Sequence, residues 1–511
     1  MSNSDLLLGI DVGTTGTKAC LFTPDGALVA SGQAEYPLHH LRPGWVEQDP
    51  HDWWRATCTA VHAALAQTPD AAARIIGIAV SGQAPSLIAV DEQGAPLRPA
   101  LIWMDRRADA QVAALNEQFS ADDIYRVTGN RCDGYYVAPK LRWLRDHEPE
   151  TLRSAHRLLL VTGFINHRLT GEFSMDTVHV RLLSLYDRRT GEWWEAMGDA
   201  CGVRHEQFPT AQPGHAPLGV VTRMAAEATG LRRGTPVFVG TVDGAAAALE
   251  AGAVRDGIVA EMTGTSSVLL MASQHIATDP ALISMPHAAP NLHLLLGAIS
   301  TSGAALRWFR DTFGQVEQTT AELLHSDAFD LLTQQAARVP AGSDGLLFLP
   351  YLAGERSPIW DSHARGVFFG ISLATPRAAF IRAILEGTAF ALRHNIEVAR
   401  TAGMTVREIR AVGGGARSAL WSQIKADVLG LPVALPEASI GAPFGDALLV
   451  GLGSGIYSDL ATTVQQIVRI RAVYEPDAER HAHYSKFYAL YRDLYTHLRN
   501  DFATAARVFS S

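Results

Sequence analysis

The first residues of the chain alternate short apolar runs with turn residues. Apolar runs at Leu6–Ile10, Ala19–Phe22 and Ala27–Ala30 predict three strands, and Pro24-Asp25-Gly26 predicts a tight turn between the last two. The stretch from Asp49-Pro50 to Leu65 predicts a helix, because this pair is a helix-start signal and apolar positions follow at helical spacing. We therefore predict an antiparallel meander inside a mixed α/β domain.

A similar pattern begins again in the second half of the chain. The run Pro236–Val242 predicts a strand that ends at Asp243-Gly244, and the Ala-rich stretch Ala245–Ala251 predicts a helix. Two further strands, Ile258–Glu261 and Val268–Met271, enclose a loop of small polar residues. This strand, loop and strand resemble the opening of the chain, so the pattern indicates a weak internal duplication with copies starting near residues 6 and 257.

The last third of the chain repeats the combination of a strand and a small-residue loop. Glu408–Val412 predicts a strand, which leads into Gly413-Gly414-Gly415-Ala416-Arg417-Ser418 and then into a helix from Leu420. Aromatic and leucine residues between Tyr484 and Leu498 fall at helical spacing. They predict an amphipathic C-terminal helix whose aromatic side chains pack against the second half of the chain.

Length and composition narrow the class of protein. A chain of 511 residues with 47% hydrophobic and 19% charged residues is a folded globular protein with two or three domains. The net charge of −9 and the presence of only four lysines argue against nucleic acid as a partner. The chain has neither a basic leader nor an apolar run long enough to span a bilayer, so we expect no membrane association and a cytoplasmic location. The four cysteines have no CxxC spacing and predict neither a disulfide framework nor a zinc site.

Three loops carry residues suited to binding phosphate. Gly lets backbone N–H groups approach a phosphate closely, and Ser and Thr add hydroxyl donors. The loop 13–18 (GTTGTK) offers both; alone it is better explained as a tight hairpin turn, but loops 263–267 and 413–418 also follow predicted strands directly. No lysine follows a glycine, which excludes the P-loop, and no GxGxxG opens a helix after the first strand, which disfavours a dinucleotide fold. We therefore predict a phosphate clamp made of two hairpins.

Two aspartates end predicted strands beside these loops. Asp11 stands two residues before the first loop, where a carboxylate can hold Mg²⁺ next to nucleotide phosphates. Asp243 follows another strand, where it can act as general base toward an acceptor hydroxyl. Each aspartate alone could equally be a turn or helix-capping residue.

Several short motifs are spread over nearly the whole chain. They are 9–18 (GIDVGTTGTK), 45–50 (WVEQDP) with Trp53-Trp54, 138–144 (APKLRWL), 170–173 (TGEF), 348–356 (FLPYLAGER), 366–370 (GVFFG) and 413–418 (GGGARS). In this order, they resemble the motifs of a known enzyme family, the FGGY carbohydrate kinases, and within it the xylulokinase branch.

The resemblance implies an α/β fold of two actin-like, ribonuclease-H-like domains, 1–250 and 251–511, with ATP and a sugar in the cleft between them. It implies that Asp11 organises Mg²⁺ and the phosphates and that Asp243 is the catalytic base, and it makes a homodimer plausible. The residues implied for ATP are Gly13, Thr14, Thr15, Gly264, Thr265, Ser266, Gly413, Gly414 and Gly415, and those for the sugar are Gln83, Ala84, Pro85, Trp103, Asp105 and Asp243.

Two departures from the xylulokinase pattern leave the sugar open. Ala84-Pro85-Ser86 stands where xylulokinases typically carry Met-His-Gly, which removes an imidazole that could pair with a sugar hydroxyl. Gly244 follows the catalytic aspartate where xylulokinases usually place Asn. We expect the chemistry to survive both changes, although the identity of the sugar can change.

The predicted activity is phosphoryl transfer from MgATP to a small sugar, first of all a ketopentose such as D-xylulose, giving the 5-phosphate. Ribulose, gluconate, glycerol and other polyols remain alternative substrates within the family. A different class, an actin-like ATPase, would hydrolyse ATP without any sugar. A non-catalytic sugar sensor would lack Asp11 or Asp243, and both are present.

Overall fold

The computed structural model of the protein describes residues 5–437 and 440–509. These residues form two units, each made of separate stretches of the chain. Unit 1 contains residues 5–254, 284–294 and 440–467, and unit 2 contains residues 255–283, 295–437 and 468–509. The stretch 440–467 thus belongs to unit 1, although chain order puts it inside the predicted second domain.

The secondary structure is mixed throughout. Numbered along the chain, the strands are β1 (Leu6–Val12), β2 (Gly16–Phe22), β3 (Leu28–Glu35), β4 (His39–Arg42), β5 (Trp45–Gln48), β6 (Ile75–Gly82), β7 (Ile88–Val90), β8 (Ala100–Leu101), β9 (Arg157–Leu159), β10 (Met175–Asp176), β11 (Ala211–Gln212), β12 (Pro217–Val220), β13 (Pro236–Phe238), β14 (Thr241–Val242), β15 (Gly257–Thr263), β16 (Ser267–Ser273), β17 (Ile283–Pro286), β18 (His293–Ile299), β19 (Leu347–Leu349), β20 (Val367–Phe369), β21 (Val406–Gly413), β22 (Val433–Pro436) and β23 (Ile470–Tyr474). The α-helices are α1 (Pro50–Leu65), α2 (Ala71–Arg74), α3 (Asp109–Phe119), α4 (Ala121–Thr128), α5 (Val137–His147), α6 (Pro149–Ser154), α7 (Val161–Thr170), α8 (His179–Leu182), α9 (Glu195–Cys201), α10 (Arg223–Thr229), α11 (Asp243–Glu250), α12 (Gly303–Phe313), α13 (Gln315–Leu324), α14 (Ala328–Ala336), α15 (Arg377–Thr401), α16 (Ala419–Leu429), α17 (Ala442–Gly453), α18 (Leu460–Ile467) and α19 (Ala478–Phe509). Short 3₁₀ turns occupy His205–Gln207, Ser343–Gly345 and Gly414–Arg417.

Unit 1 is built on a mixed sheet with the order β12-β13-β6-β1-β2-β3, and β14 also pairs with β6. Strands β1, β2 and β3 pair antiparallel in sequence, which confirms the predicted meander. Strands β1, β13 and β14 all run parallel to β6. Strand β6 therefore lies between the N-terminal hairpin and the segment that leads to Asp243.

Helix α1 begins and ends where the sequence predicts. The Asp49 side chain accepts a hydrogen bond of 2.9 Å from the backbone N–H of His51, and Pro50 occupies the first turn, where its missing N–H costs nothing. The helix lies against β3 at Gly32, where an added Cβ would come 2.1 Å from the carbonyl oxygen of Ala60. The close approach of helix to strand therefore requires glycine at this position.

The strand predicted over Pro236–Val242 is wrong as a single element. It is two short strands, β13 and β14, separated at Val239 and Gly240. Gly240 has φ +78°, and a Cβ there would lie 1.8 Å from the carbonyl oxygen of Val80. The left-handed backbone interrupts the strand, and both pieces still pair with β6.

Unit 2 contains a second sheet with the strand order β18-β16-β15-β21-β22-β23. Strands β15 and β16 form an antiparallel hairpin, and β21 runs parallel to β15, as β6 does to β1 in unit 1. Each parallel pair even begins with a register shift, between Leu6 and Leu7 in one sheet and between Gly257 and Ile258 in the other. The predicted duplication is confirmed at the level of strand pairing.

The C-terminal helix α19 packs on the core of unit 2 as predicted. Tyr484 and Tyr491 are at most 1% exposed. The Tyr484 hydroxyl donates a hydrogen bond of 2.8 Å to Glu386 and accepts one of 3.0 Å from Arg382, two residues of α15 that also form an ion pair. Because the charges on α15 are paired, the aromatic side chains can lie over them in the interior. Among the described helices, none combines the length and apolar character needed to cross a bilayer.

Helix α17 returns to unit 1 and packs at backbone distance against two of its elements. A Cβ added at Gly9 of β1 would lie 1.9 Å from the carbonyl oxygen of Pro443, and one added at Gly445 would lie 2.0 Å from that of Ala246 in α11. Backbone atoms cannot give way as flexible side chains can. These two glycines therefore set how close α17 lies to the strand and helix that carry the candidate site.

We expect Gly9→Ala to destabilise unit 1 by about 1–3 kcal/mol or more, because the added methyl forces β1 away from α17. The free energy of unfolding from urea titration measures the loss. Gly264→Ala is the matched control: an added Cβ there meets nothing within 4 Å, so its unfolding transition should stay unchanged. Equal stability of the two variants would contradict the packing described here.

Candidate active site

Two strands bring Asp11 and Asp243 to the same end of β6. Asp11 is the second-last residue of β1 and pairs with Ser81, whereas Asp243 follows β14, whose Val242 pairs with Gly82. Because all three strands are parallel, their carboxyl ends lie at one edge of the sheet, the usual ligand-binding edge of parallel sheets. The structure thus brings together the two aspartates that the sequence identifies separately.

Burial raises the pKa of both carboxyl groups. Burial raises the pKa of Asp11 to about 8, the charge of Asp243 adds to the rise, and Lys18 and Ser81 oppose it. Burial also raises the pKa of Asp243 to about 6, although the carboxylate accepts a hydrogen bond of 2.6 Å from the Gly244 N–H. These groups therefore share a desolvated, electronegative region.

A third aspartate, Asp446 of α17, belongs to this region and was missed in the sequence. It is fully buried, and one carboxylate oxygen accepts a hydrogen bond of 2.7 Å from the Ser81 hydroxyl. Burial and the charges of Asp11 and Asp243 hold the pKa of Asp446 well above its ordinary value. Asp446 is the single charged residue of an otherwise apolar helix, and that is the sequence signal that could have found it.

Asp11 and Asp446 each have a carboxylate oxygen that is suited to a bound cation. Oδ1 of Asp11 and Oδ1 of Asp446 are buried, and neither has a hydrogen-bond partner among the described residues. Mg²⁺ is commonly held by one or two carboxylates together with water and phosphate oxygens. Among the described residues, no three or more His, Cys, Asp or Glu side chains are grouped so that they could hold a metal ion by themselves.

The first candidate phosphate loop, Gly13 to Thr15, closes the β1–β2 hairpin. The Gly13 N–H donates a hydrogen bond of 3.0 Å to the carbonyl of Gly16, and the Tyr36 hydroxyl donates one to the carbonyl of Gly13. The Tyr36 N–H donates one of 3.2 Å to the carbonyl of Thr15. The tight turn is therefore real, and the predicted phosphate contacts would be made by a hairpin already held in shape.

Two residues implied for the sugar connect to this loop, Trp103 directly and Gln83 through Gln48, which sequence reasoning did not single out. Trp103 Nε1 donates a hydrogen bond of 3.1 Å to the Thr14 hydroxyl, and Gln48 Nε2 donates one of 2.8 Å to the Thr14 carbonyl. Gln83 Nε2 in turn donates one of 2.6 Å to Gln48 Oε1. Gln83 and Trp103 therefore share a hydrogen-bond network with the first loop.

The other residues implied for the sugar are placed differently. Asp105 is fully buried, and its carboxylate accepts hydrogen bonds from the Val46 N–H at 2.7 Å and from Arg107 at 2.8 to 3.1 Å, so its oxygens are already engaged within the fold. The Ala84 carbonyl accepts a hydrogen bond of 2.9 Å from the Tyr135 hydroxyl, and Pro85 is buried. The sugar contacts of Asp105, Ala84 and Pro85 stay predictions.

The second candidate loop, Gly264 to Ser266, closes the β15–β16 hairpin of unit 2. Gly264 and Thr265 are exposed, and the N–H of Gly264 donates a hydrogen bond of 2.9 Å to the carbonyl of Ser266. The start of α12 supports the loop, since the Ser302 and Ala304 N–H groups donate to the Thr265 carbonyl at 3.1 and 3.0 Å. Its outer backbone and hydroxyl groups remain accessible.

The glycines Gly413 to Gly415 lie beside this second loop. Gly413 ends β21 opposite Thr263 and has φ +85°, and a Cβ there would lie 2.7 Å from the Thr263 carbonyl oxygen. A Cβ at Gly415 would lie 2.4 Å from the Thr263 methyl group. Two of the three candidate loops therefore meet around Thr263, and only glycine permits the approach.

A buried ion pair holds Thr263 in place. Lys425 of α16 contacts Glu261 at 2.7 Å and donates a hydrogen bond of 2.9 Å to the Thr263 hydroxyl, and both charged residues are at most 1% exposed. The Thr263 hydroxyl also bonds to Glu261 and lies 3.0 Å from the Ser267 hydroxyl. The base of the second hairpin is thus fixed by a satisfied polar network.

Family models match both parts of the chain. Residues 6–250 match the N-terminal domain, and residues 259–453 the C-terminal domain, of the FGGY family of carbohydrate kinases. The chain belongs to the FGGY family of carbohydrate kinases. This FGGY kinase is a sugar phosphotransferase, and the expected fold of two actin-like domains is confirmed.

Individual relatives of this FGGY kinase differ in the substrate that they are named for. It is 32% identical to xylulose kinase of Bacillus subtilis strain 168 (98% of this chain and 99% of the relative). It is also 32% identical to autoinducer-2 kinase of Enterobacter sp. strain 638 (95% of this chain and 94% of the relative). The crystal structure of xylulose kinase from Rhodospirillum rubrum matches with a TM-score of 0.90 at 32% identity, covering 98% of this chain and 100% of that one.

Lys425→Met should destabilise unit 2 by about 3–5 kcal/mol, because it leaves the Glu261 carboxylate buried without its partner. Urea unfolding of the variant measures the loss. The double variant Lys425→Met/Glu261→Gln removes both charges and should regain much of that stability. A double variant no more stable than the single one would show that the ion pair is not what holds the hairpin base.

The stability of unit 1 should fall as pH rises from about 4 to about 8. Asp11 and Asp243 have an ordinary pKa of 3.8 and folded values of about 8 and about 6, so in this range the folded state binds more protons than the unfolded chain. Asp11→Asn removes one of these groups and should give a shallower decline, measured by urea unfolding at several pH values without nucleotide and with EDTA. The exposed Asp122→Asn is the control; identical pH slopes in all three proteins would contradict the raised pKa of Asp11.

Proposed function

We propose that this FGGY kinase transfers the γ-phosphoryl group of ATP to a hydroxyl of a ketopentose such as D-xylulose, giving the 5-phosphate. The observation that carries the proposal is the convergence of Asp11 and Asp243 at one end of β6. In phosphoryl transfer, the protein mainly positions the two substrates and stabilises negative charge on the phosphates, and it supplies a base for the attacking hydroxyl. Two partly buried carboxyl groups with different pKa values suit two different tasks.

Asp243 is the proposed general base. Its pKa of about 6 leaves the carboxylate ionised at neutral pH and yet basic enough to accept a proton from a hydroxyl as the oxygen attacks phosphorus. The Gly244 N–H bonds one carboxylate oxygen and fixes its orientation, which leaves the other oxygen for the substrate. General-base assistance of this kind contributes about 10²- to 10⁴-fold to the rate.

Asp11 and the loops are proposed to hold the triphosphate. The backbone N–H groups and hydroxyls of Gly13 to Thr15, Gly264 to Ser266 and Gly413 to Gly415 are suited to bind phosphate oxygens. Mg²⁺, held by Asp11, would neutralise charge on the transferring phosphoryl group. Asp446 would support Asp11 in this role, since both contact Ser81 and the charge of Asp11 raises the pKa of Asp446.

Relatives of similar identity are named for two different substrates. Xylulose kinase and autoinducer-2 kinase relatives reach the same identity of 32%, so autoinducer-2 is a second candidate substrate. The Ala84-Pro85-Ser86 sequence is compatible with either substrate, because a pocket that loses a polar partner changes which hydroxyl patterns it accepts. Ribulose, gluconate and glycerol remain candidates on the same ground.

A coupled assay of ADP release tests the function. D-Xylulose, D-ribulose, autoinducer-2, gluconate and glycerol are each supplied with MgATP, and we expect ADP release to depend on sugar and to be fastest with the ketopentose. Strong ATP hydrolysis that ignores every sugar would instead favour an actin-like ATPase. Mass spectrometry of the product identifies the phosphorylated hydroxyl.

In the same assay, Asp243→Asn should abolish sugar-dependent turnover, because an amide cannot accept the proton. ATP affinity, measured by calorimetry, should be kept, and Asp122→Asn should retain full activity. Sugar-dependent turnover that persists in Asp243→Asn would overturn the role of Asp243 as base.

We further propose that the protein forms a homodimer and is located in the cytoplasm. A homodimer rests on the family resemblance, and light scattering of the purified protein measures it. A cytoplasmic location fits four cysteines that are all free in the structure, since reducing compartments keep thiols unpaired.

A further inference from the structure

A buried pair of Asp176 and His179 lies next to the strand that leads to Asp243. Asp176 ends β10, and its Oδ1 accepts hydrogen bonds of 3.0 Å from the N–H groups of Val178 and His179. Its Oδ2 accepts a hydrogen bond from Nδ1 of the His179 ring. The two side chains are at most 1% exposed, so this is an interior pair and not a surface contact.

The pair fixes which nitrogen of the imidazole faces away from it. When Nδ1 donates to a carboxylate, the ring orientation is set and Nε2 points in the opposite direction. Nε2 of His179 is buried, and among the described residues it has no hydrogen-bond partner. A buried polar atom without a partner costs about 1–3 kcal/mol, so an interior nitrogen of this kind calls for a ligand atom or a water.

Strand β14 connects this pair to the candidate base. The Thr241 hydroxyl lies 3.5 Å from Oδ1 of Asp176, and Asp243 follows Thr241 by two residues. The charge of His179 also lowers the pKa of Asp243 against the effect of burial, so the ring lies within electrostatic range of that carboxylate. The unpartnered Nε2 of His179 and the candidate base therefore belong to the same region of unit 1.

We propose that His179 Nε2 hydrogen-bonds the substrate hydroxyl adjacent to the one that Asp243 deprotonates, and so selects sugars with a vicinal diol at the phosphorylated end. The inference rests on the proposed function. A hydroxyl suits the site, because it can donate to a neutral ring or accept from a protonated one. Asp176 is then a positioning residue that holds the ring.

Two variants separate the nitrogens of the ring. His179→Asn keeps an amide near the position of Nδ1, which can still donate to Asp176, and removes Nε2. His179→Gln instead keeps an amide near the position of Nε2. A substrate pair completes the test: the best sugar of the panel and its analogue without the adjacent hydroxyl, which for D-xylulose is the pentulose that lacks the C4 hydroxyl.

We expect the wild type to prefer the parent sugar over the deoxy analogue by about 10- to 100-fold in kcat/KM, the usual effect of one paired hydroxyl. His179→Asn should reduce that preference to less than threefold, with the KM for ATP unchanged, and His179→Gln should keep most of it. Thermal unfolding checks that both variants are folded.

A preference for the parent sugar that is unchanged in His179→Asn would overturn the inference and would indicate that Nε2 binds only water. Should His179→Asn fail to fold, ¹⁵N-histidine NMR of the wild type gives the answer: the Nε2 resonance should shift with the sugar and not with the deoxy analogue, and no shift with either overturns the inference. Absence of sugar-dependent turnover in the wild type would overturn the proposed function as well, so the two failures are distinguishable.

Discussion

The candidate site of unit 1 depends on three carboxyl groups that lie in a poorly solvated region at one end of β6. Asp11, Asp243 and Asp446 reach this end from a strand, a strand-to-helix junction and a separate helix, and each has a raised pKa for the same physical reason. Carboxylates in a poorly solvated region are unfavourable unless something positive or proton-donating compensates them. The chain supplies only part of this compensation, from the Ser81 hydroxyl and the Lys18 charge. The negative charge that stays uncompensated favours a bound cation and a carboxylate that accepts a proton.

Glycine makes this arrangement sterically feasible. Contacts at Gly9, Gly240 and Gly445 are between backbone atoms, which lets a helix, a strand and a strand break approach without side chains between them. In unit 2, Gly413 lies against the backbone of Thr263 and Gly415 against its side chain, and buried polar groups fix the position of Thr263. The strands and helices that carry the loops therefore fix the loop positions, together with the loop residues themselves.

Local patterns in the sequence were enough for the strands, the first helix, the hairpin loops and both candidate aspartates, because periodicity and turn residues are local signals. They failed wherever a distant contact decides the outcome. The break at Gly240 depends on the Val80 carbonyl, and Asp446 joins the site only because the stretch 440–467 packs in unit 1. Gln48 matters because it bonds to Gln83, which is distant in the chain, and His179 matters because its buried Nε2 has no partner among the described residues. Neither property leaves a local pattern in the sequence.

The repeated hairpin and parallel strand offer a built-in comparison. In register, Asp11 and Ser81 of unit 1 correspond to Met262 and Val412 of unit 2, and Val12 and Gly82 correspond to Thr263 and Gly413. The same backbone scaffold therefore presents a carboxyl and a hydroxyl group in one copy and two apolar side chains in the other. If the two copies descend from one ancestral segment, they have since specialised, and the acid chemistry was kept or acquired in a single half.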